Sequence, residues 1–229
     1  MKQLHTKAIL LKRINFGEAD RVLTVITPTS GRLSMLAKGV RKQKSKLAGG
    51  IELFSESEIT YIDGRSELKT IVGTRLHVHF DTIVKDVSKT MLAYDFLQTI
   101  YDSTQHGVEA GTYELLYKSL DYLNEENADS NLLLLWFTVQ NLLLSGASIN
   151  LEKPLNRESF NEESQYQYSY DDRSFVTVEN GPYLPIHIKL LRLAGRASEP
   201  KKLEVIKNYQ QFAGDLSSLM GNVLKMHKI

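Results

Sequence analysis

The first 80 residues alternate between apolar and polar positions, with the period of two that is typical of half-buried strands. Leu33, Met35 and Ala37 fall on one side of such a segment, and an Asp63–Gly64 pair between two further apolar segments predicts a hairpin. The pattern predicts about five strands, the size of a small closed barrel such as an OB-fold. The apolar segments that form them are 7–14, 21–27, 33–39, 51–62, 66–73 and 76–80.

Beyond residue 80, the apolar positions recur every three or four residues, as they do in helices. Helices are predicted over 88–102, 112–124, 130–145, 185–195 and 201–227. The first has an apolar stripe formed by Met91, Leu92, Phe96, Leu97 and Ile100. Residues 150–182 are polar and irregular, with one hairpin expected at 166–178. The predicted class is therefore α+β: a five-stranded OB-fold barrel over 1–80 and a mostly helical domain over 81–229, with a small cysteine-free hairpin insert.

Composition excludes several kinds of chemistry. The chain has no cysteine, which rules out disulfides, thiolate zinc sites and cysteine nucleophiles. The N-terminal residues lack the pattern of a signal peptide, and the apolar segment 132–144 is too short to span a bilayer, so we expect a cytoplasmic protein. No P-loop, GxGxxG, HExxH or GxSxG motif occurs, and neither an enzyme activity nor a cofactor is predicted.

The net charge of +1 hides an uneven distribution. Residues 1–80 contain 14 Lys and Arg against 7 Asp and Glu, whereas residues 81–188 contain 6 against 17. The segment 37–50, AKGVRKQKSKLAGG, is the most basic of all. Such a loop is either a solvated hairpin connection or a site for nucleic-acid phosphates, and the cations of the preceding strand favour the second interpretation. The candidate DNA-binding residues are Arg32, Lys38, Arg41, Lys42, Lys44 and Lys46.

Other clusters carry weaker signals. His77 and His79 share a strand face and could bind a metal, but no third ligand is evident, and surface histidines are common. The tyrosines of the late hairpin could stack on bases, although packing onto helices is the more usual role of such a face. They are Tyr166, Tyr168 and Tyr170. The acidic segments 121–129 and 158–172 lack the spacing of a metal loop and are expected to be solvated.

Residues 15–55 resemble the N-terminal domain of the bacterial RecO family of recombination mediators. The resemblance rests on GEADR, on TPTSGRL and above all on AKGVRKQKSKLAGG. LLWFTVQNLLLSGASINLEK and GPYLPIHIKLLRL are similar to the later helical parts of the family. The resemblance implies an OB-fold and a helical domain without enzymatic activity. It also implies binding to single- and double-stranded DNA, annealing of complementary strands, and RecA loading onto DNA coated by single-strand-binding protein, with RecR as a partner.

The resemblance gives the basic loop a role as a DNA-backbone contact and places the protein at the nucleoid. Gly39, Gly49 and Gly50 would let the loop turn, and Glu18 and Asp20 would order the first loop by capping backbone donors or pairing with Arg21. One departure concerns zinc: many relatives carry a four-cysteine module where this chain has no cysteine at all. No metal is therefore expected in residues 150–182.

The resemblance further implies a groove for the acidic, phenylalanine-ended tail of single-strand-binding protein. Such a tail requires an apolar pocket and nearby cations. We expect Lys189 and Arg192 to flank this pocket beside the 130–145 helix, with Lys118 as another basic candidate. A different class of function stays open, namely an RNA-binding OB-fold protein or a protein-interaction adaptor without DNA annealing, because no residue pattern here distinguishes DNA from RNA.

Overall fold

The computed structural model describes residues 2–64 and 66–226. Two compact units make up the chain, Met1–Glu126 and Asn127–Ile229. Within the described residues, the first contains a β-barrel and two α-helices, and the second contains three α-helices and a hairpin. None of the helices in the described part is both long enough and apolar enough to cross a membrane.

Five strands close into the predicted barrel: β1 (Lys2–Phe16), β2 (Asp20–Thr27), β3 (Gly31–Ala37), β4 (Ser55–Asp63) and β5 (Leu68–His79). Their order around the barrel is β1-β2-β3-β5-β4. Neighbouring strands are antiparallel except β3 and β5, which are parallel. The alternating apolar side chains fill the interior, from Leu10 and Leu23 to Met35, Ile59 and Ile71. The α+β class and the five-stranded barrel are thus confirmed.

Two strand predictions needed correction. The segments 66–73 and 76–80 form a single strand, β5, because β4 pairs with it on both sides of Gly73. That glycine lies opposite Thr60, next to an irregularity in the register, where a residue without a side chain lets the strand bend. The fourth strand begins at Ser55 rather than at 51, since a short 3-10 turn, Ala48–Gly50, precedes it.

The first unit continues with helices α1 (Val87–Ser103) and α2 (Thr112–Leu123). Asp86 caps α1, as its Oδ1 accepts a hydrogen bond from the backbone N–H of Lys89 at 3.0 Å. Met91 was predicted to belong to the buried stripe, but its side chain is 65% exposed, and Ala93 is buried instead. Strands give way to helices near residue 80, but α1 and α2 belong to the same compact unit as the barrel. The 80/81 domain boundary stays a prediction.

Helices α3 (Ser130–Leu144), α4 (Pro185–Arg196) and α5 (Tyr209–Met226) form the second unit with strands β6 (Gln165–Ser169) and β7 (Ser174–Val178). Gln140, a polar interruption in the apolar α3, donates from its side-chain amide to the carbonyl oxygen of Ala194 at 2.8 Å. The last helix starts eight residues later than predicted, because Asn208 adopts a left-handed conformation with φ of 60°. A 3-10 turn, Pro200–Leu203, occupies part of the remaining segment.

The β6–β7 hairpin forms where it was predicted, and aromatic side chains hold it. Tyr166 and Tyr168 are buried, and the ring of Tyr168 meets that of Phe175 edge-on, with centroids 5.1 Å apart. The hydroxyl of Tyr166 accepts from the backbone N–H of Asn161 at 2.9 Å. Tyr168 and the more exposed Tyr170 also line a hollow beside residues of α3 and α5. Packing, rather than base stacking, is therefore the role of the two buried tyrosines.

Candidate nucleic-acid interface

The basic loop follows β3 and is tied to the neighbouring β1–β2 hairpin by its backbone. The N–H of Arg41 donates to the carbonyl oxygen of Ala19 at 2.9 Å. The N–H of Gly39 donates to Asp20 Oδ1 at 2.7 Å. Within the loop, the N–H of Ser45 donates to the carbonyl of Lys42 at 2.9 Å. These bonds satisfy backbone groups that would otherwise rely on water, so the loop is a turn structure fixed to the barrel.

Apolar residues on either side of the cations anchor the loop. Val40 and Ile51 are buried in the barrel core, and Leu47 packs against it. The hydroxyl of Thr74 on β5 donates to the carbonyl oxygen of Leu47 at 3.0 Å. With its apolar residues inside, the loop turns its polar side chains outward.

The predicted cations of the loop are all exposed: Lys38, Arg41, Lys42, Lys44 and Lys46. None of the five forms an ion pair with a carboxylate among residues 2–64 and 66–226. Arg41 Nη1 donates to the carbonyl oxygen of Gly17 at 3.3 Å, which steadies the guanidinium without neutralising it. The loop therefore presents a cluster of uncompensated positive charge, and such a cluster attracts polyanions.

The three glycines of the loop have different roles. Gly39 has a φ of 64°, a left-handed conformation that other residues adopt at a cost. Gly50 packs against β5 so closely that a Cβ would lie 2.5 Å from the Cβ of Thr74. A Cβ on Gly49 would meet no atom within 4 Å. Only Gly39 and Gly50 are therefore required by the geometry.

Arg32 differs from the other candidates. It lies near the start of β3, and its Nη1 donates to the carbonyl oxygen of Tyr101 at 2.8 Å while the guanidinium lies 4.4 Å from the Tyr101 ring centroid. Lys12 Nζ lies 4.5 Å from the same ring centroid. The end of α1 thus engages both cations, and Arg32 does not extend the exposed cluster of the loop. A DNA contact by Arg32 stays a prediction.

The acidic residues before β2 were expected to order the first loop. Asp20 instead accepts from Gly39, so it orders the basic loop. Arg21 Nε donates to Asn15 Oδ1 at 3.2 Å and pairs with neither Glu18 nor Asp20 among the described contacts. A carboxylate at this position thus fixes the backbone of the loop and leaves its cations free.

A buried carboxylate lies elsewhere on the barrel. Glu56 on β4 is 2% exposed, and its Oε2 lies 3.1 Å from Lys7 Nζ and 3.5 Å from His77 Nε2. Its Oε1 accepts a hydrogen bond from the hydroxyl of Tyr113 on α2. Burial raises the pKa of that hydroxyl well above its usual range, and the adjacent Glu56 raises this pKa further. The cluster joins α2 to the barrel.

Metal binding by His77 and His79 would require at least one further ligand beside them. Across the described residues, no three His, Asp or Glu side chains lie close enough together to hold a metal ion. The residues present over 150–182 therefore do not fit a zinc site. Independence of zinc stays a prediction, and the aromatic packing of the hairpin supports it.

The second unit contains an apolar pocket of about 220 Å³ between α3 and α4. Its lining includes two cations one helical turn apart, Arg192 and Arg196. Arg192 Nε donates to the carbonyl oxygen of Leu151 at 2.8 Å, so this residue also holds one wall. Arg196 is exposed. The apolar lining consists of Val139, Leu142, Leu143, Ile149, Leu151 and Leu191.

This pocket agrees only in part with the predicted partner site. Arg192 lines it beside the predicted helix, whereas Lys189 is exposed on α4 outside the lining. Lys118 belongs to α2 in the other unit and is half-buried there. Arg196 was not predicted from the sequence, although a residue four positions after Arg192 lies on the same helix face.

Comparison with known proteins agrees with the geometry. A family profile described as "Recombination protein O N terminal" matches residues 1–79, which cover the barrel and its basic loop. A DNA repair protein RecO of Desulfatibacillum aliphaticivorans is 31% identical over 156 residues, 67% of this chain and 60% of that protein. The chain is thus similar to proteins of the RecO family. A RecO protein of Dehalococcoides mccartyi is 32% identical over 152 residues, 66% of this chain and 59% of that protein.

The matched region therefore spans about 60% of the length of these RecO proteins. In this chain, the barrel that the profile matches also carries the exposed basic loop. The resemblance inferred from the loop sequence is confirmed.

Proposed function

We propose that this chain acts in DNA repair and recombination, and that its basic loop binds the DNA backbone. The observation that carries the proposal is the group of exposed, unpaired cations in a loop fixed to the barrel by Asp20 and Val40. The similar proteins named DNA repair protein RecO give this loop its context. Lysines that neutralise phosphates release counterions and bind without regard to sequence.

Such a loop can contact single- and double-stranded DNA alike, since both present phosphates. Binding that ignores sequence leaves base edges free to pair, and it screens the repulsion between two strands. We therefore propose that the protein anneals complementary strands and works as a recombination mediator at the nucleoid. The similarity to the RecO family supports two further steps: cooperation with RecR and loading of RecA onto DNA coated by single-strand-binding protein.

The pocket between α3 and α4 is our proposed site for the tail of single-strand-binding protein. A phenylalanine-ended acidic tail combines an aromatic side chain with carboxylates, and the pocket combines apolar lining residues with Arg192 and Arg196. Arg196 is the better placed of the two for a carboxylate, because Arg192 already donates to Leu151 and lies 5.3 Å from the ring centroid of Phe160.

A titration and an annealing assay test the central part of this proposal. Labelled oligonucleotides of one sequence are titrated as single-stranded DNA, duplex DNA and RNA at one salt concentration. We expect both DNA forms to bind and complementary DNA strands to anneal faster with protein than without. Binding to RNA alone, or no acceleration of annealing, would support the alternative of an RNA-binding protein or adaptor.

A further inference from the structure

The outer surface of the first three strands carries an apolar row that the barrel does not bury. In the strand register, Ile14 is paired with Val22, and Val22 with Leu36. Directly paired residues of antiparallel strands point to the same face. Because the neighbouring Leu23 and Met35 point into the core, this row points outward.

Phe16 follows Ile14 by two residues on β1 and therefore lies on the same face, so the row ends in an aromatic ring. Phe16 is the last residue of β1 and is paired with Asp20. Its side chain is 56% exposed, and that of Ile14 is 53% exposed. Large apolar side chains exposed side by side on one face mark a binding surface more often than isolated ones do.

Helix α1 covers only the other end of this face. Tyr101, near the end of α1, receives Lys12 and Arg32 on its ring. Lys12 is paired with Thr24 at that end of the β1–β2 ladder. The end that carries Phe16 has no such cover among the described residues.

Phe16 lies beside the basic loop. Its partner Asp20 accepts from the N–H of Gly39, and the next residue, Gly17, accepts from the Arg41 guanidinium at 3.3 Å. Arg21 is paired with Ala37, so continuation of the register places Lys38 beside Asp20. An exposed aromatic ring thus lies within one or two residues of the cations, the combination by which single strands are bound: cations track phosphates, and a ring stacks on a base.

We propose that Phe16 stacks on an unpaired base of single-stranded nucleic acid whose backbone follows the basic loop, with Ile14 extending the apolar contact. This inference rests on the proposed function. It adds a preference for unpaired bases to a loop whose cations can contact the phosphates of single and double strands alike. A duplex keeps its bases stacked inside and cannot offer one to Phe16 without unstacking.

Affinities for an oligo-dT, an abasic oligonucleotide of equal length and a duplex test the proposal. Phe16→Ala should weaken oligo-dT binding by at least about fivefold, the lower end of the effect of one stacked base. Abasic and duplex binding should stay within about twofold. Phe16→Leu, which keeps an apolar side chain, should behave like alanine, and Phe16→Trp like the parent. Met91→Ala, which removes a large apolar side chain that is 65% exposed from α1, is the matched control.

Phe16→Trp adds a second readout, since the single tryptophan of the chain, Trp136, is buried. Oligo-dT should quench the added fluorescence, and the abasic strand should not. Unchanged affinity of Phe16→Ala for oligo-dT overturns the inference, as does an equal loss on the abasic strand. If alanine at the loop cations still weakens nucleic-acid binding in that case, the proposed function stands without the stacking site. If removing them also has no effect, both fail.

Discussion

Asp20 Oδ1 accepts a hydrogen bond of 2.7 Å from the backbone N–H of Gly39. An acidic residue thus fixes the first turn of the most basic segment in the chain. The backbone of Gly39 is left-handed, with a φ of 64°, and it begins the turn that precedes the exposed cations. Asp20 accepts a hydrogen bond from a backbone donor and forms no ion pair with the described lysines of the loop, so these lysines can bind a ligand.

Two substitutions of Asp20 distinguish the stability contributed by its hydrogen bond from that contributed by its charge. Asp20→Ala removes the acceptor and should lower the free energy of unfolding by about 1–2 kcal/mol. Asp20→Asn keeps an acceptor and should lose less than half of that. Urea denaturation measures both. Glu18→Ala, an exposed acidic residue in the same hairpin, is the control and should change stability little. Equal stability of the alanine variant and the parent would show that the hydrogen bond contributes nothing.

The glycines of the loop should respond differently to alanine. Gly39→Ala forces a side chain into a left-handed conformation and should destabilise the protein by about 1–2 kcal/mol. Gly49→Ala meets no neighbour within 4 Å and should leave stability unchanged or slightly raised. Thermal unfolding of the two variants side by side checks this. Equal losses in both would contradict the assigned backbone roles.

The hydrogen bond between Tyr113 and Glu56 predicts a dependence on alkaline pH. Tyr113→Phe leaves a buried carboxylate without one of its donors and should destabilise by about 1–3 kcal/mol at pH 7. Because folding raises the pKa of Tyr113 above its unfolded value of 10.0, the unfolded state loses this proton first as pH rises. The parent therefore loses stability above pH 10, and its advantage over the variant should shrink there.

Tyr168→Phe is the matched comparison. Burial raises the pKa of Tyr168 to about 12, but no carboxylate accepts its hydroxyl proton among the described contacts. Its replacement should cost little at pH 7 and should reduce the alkaline loss between pH 10 and 12. Urea unfolding at pH 7, 10 and 11 compares the variants. A Tyr113→Phe difference that grows above pH 10 would contradict the assignment.

The pocket of the second unit gives a prediction about the protein partner. Arg196→Glu should abolish binding of a labelled acidic, phenylalanine-ended tail peptide, measured by fluorescence anisotropy. The substitution replaces an exposed cation of the pocket lining with a carboxylate that repels the acidic peptide. Lys189→Glu makes the same charge change on the same helix outside the lining, and it should retain most of the affinity. Loss of binding in Lys189→Glu alone would instead support the site expected from sequence.

Local patterns were enough to predict much of this fold. Alternation in β1 to β4 and Asp63–Gly64 located the strands, and Pro185 located the start of α4. Patterns failed where distant residues decide the structure. Pairing with β4 makes β5 continuous through Gly73, and the backbone of Asn208 delays α5.

The candidate site shows the same division. Exposure of Lys42, Lys44 and Lys46 follows from their sequence, since three lysines cannot all be buried without partners. The hydrogen bond from Arg32 to the carbonyl oxygen of Tyr101 could not be predicted in this way. The two residues are 69 positions apart, and only the packing of α1 on the barrel brings them together. Phe16 was missed for a similar reason: its exposure depends on which part of the strand face α1 covers.

The salt dependence of DNA binding tests the central claim most directly. Affinities are measured across a salt series for the parent and for the quadruple alanine variant at Arg41, Lys42, Lys44 and Lys46. The control carries alanine at four exposed cations of the second unit: Lys153, Arg157, Lys207 and Lys225. For the loop variant, we predict weaker binding to every sequence. Its slope of log K against log salt should be shallower by about 0.7 per lost contact on single strands and about 0.9 on duplex. An unchanged affinity and slope in the loop variant, or an equal loss in the control, would contradict the account.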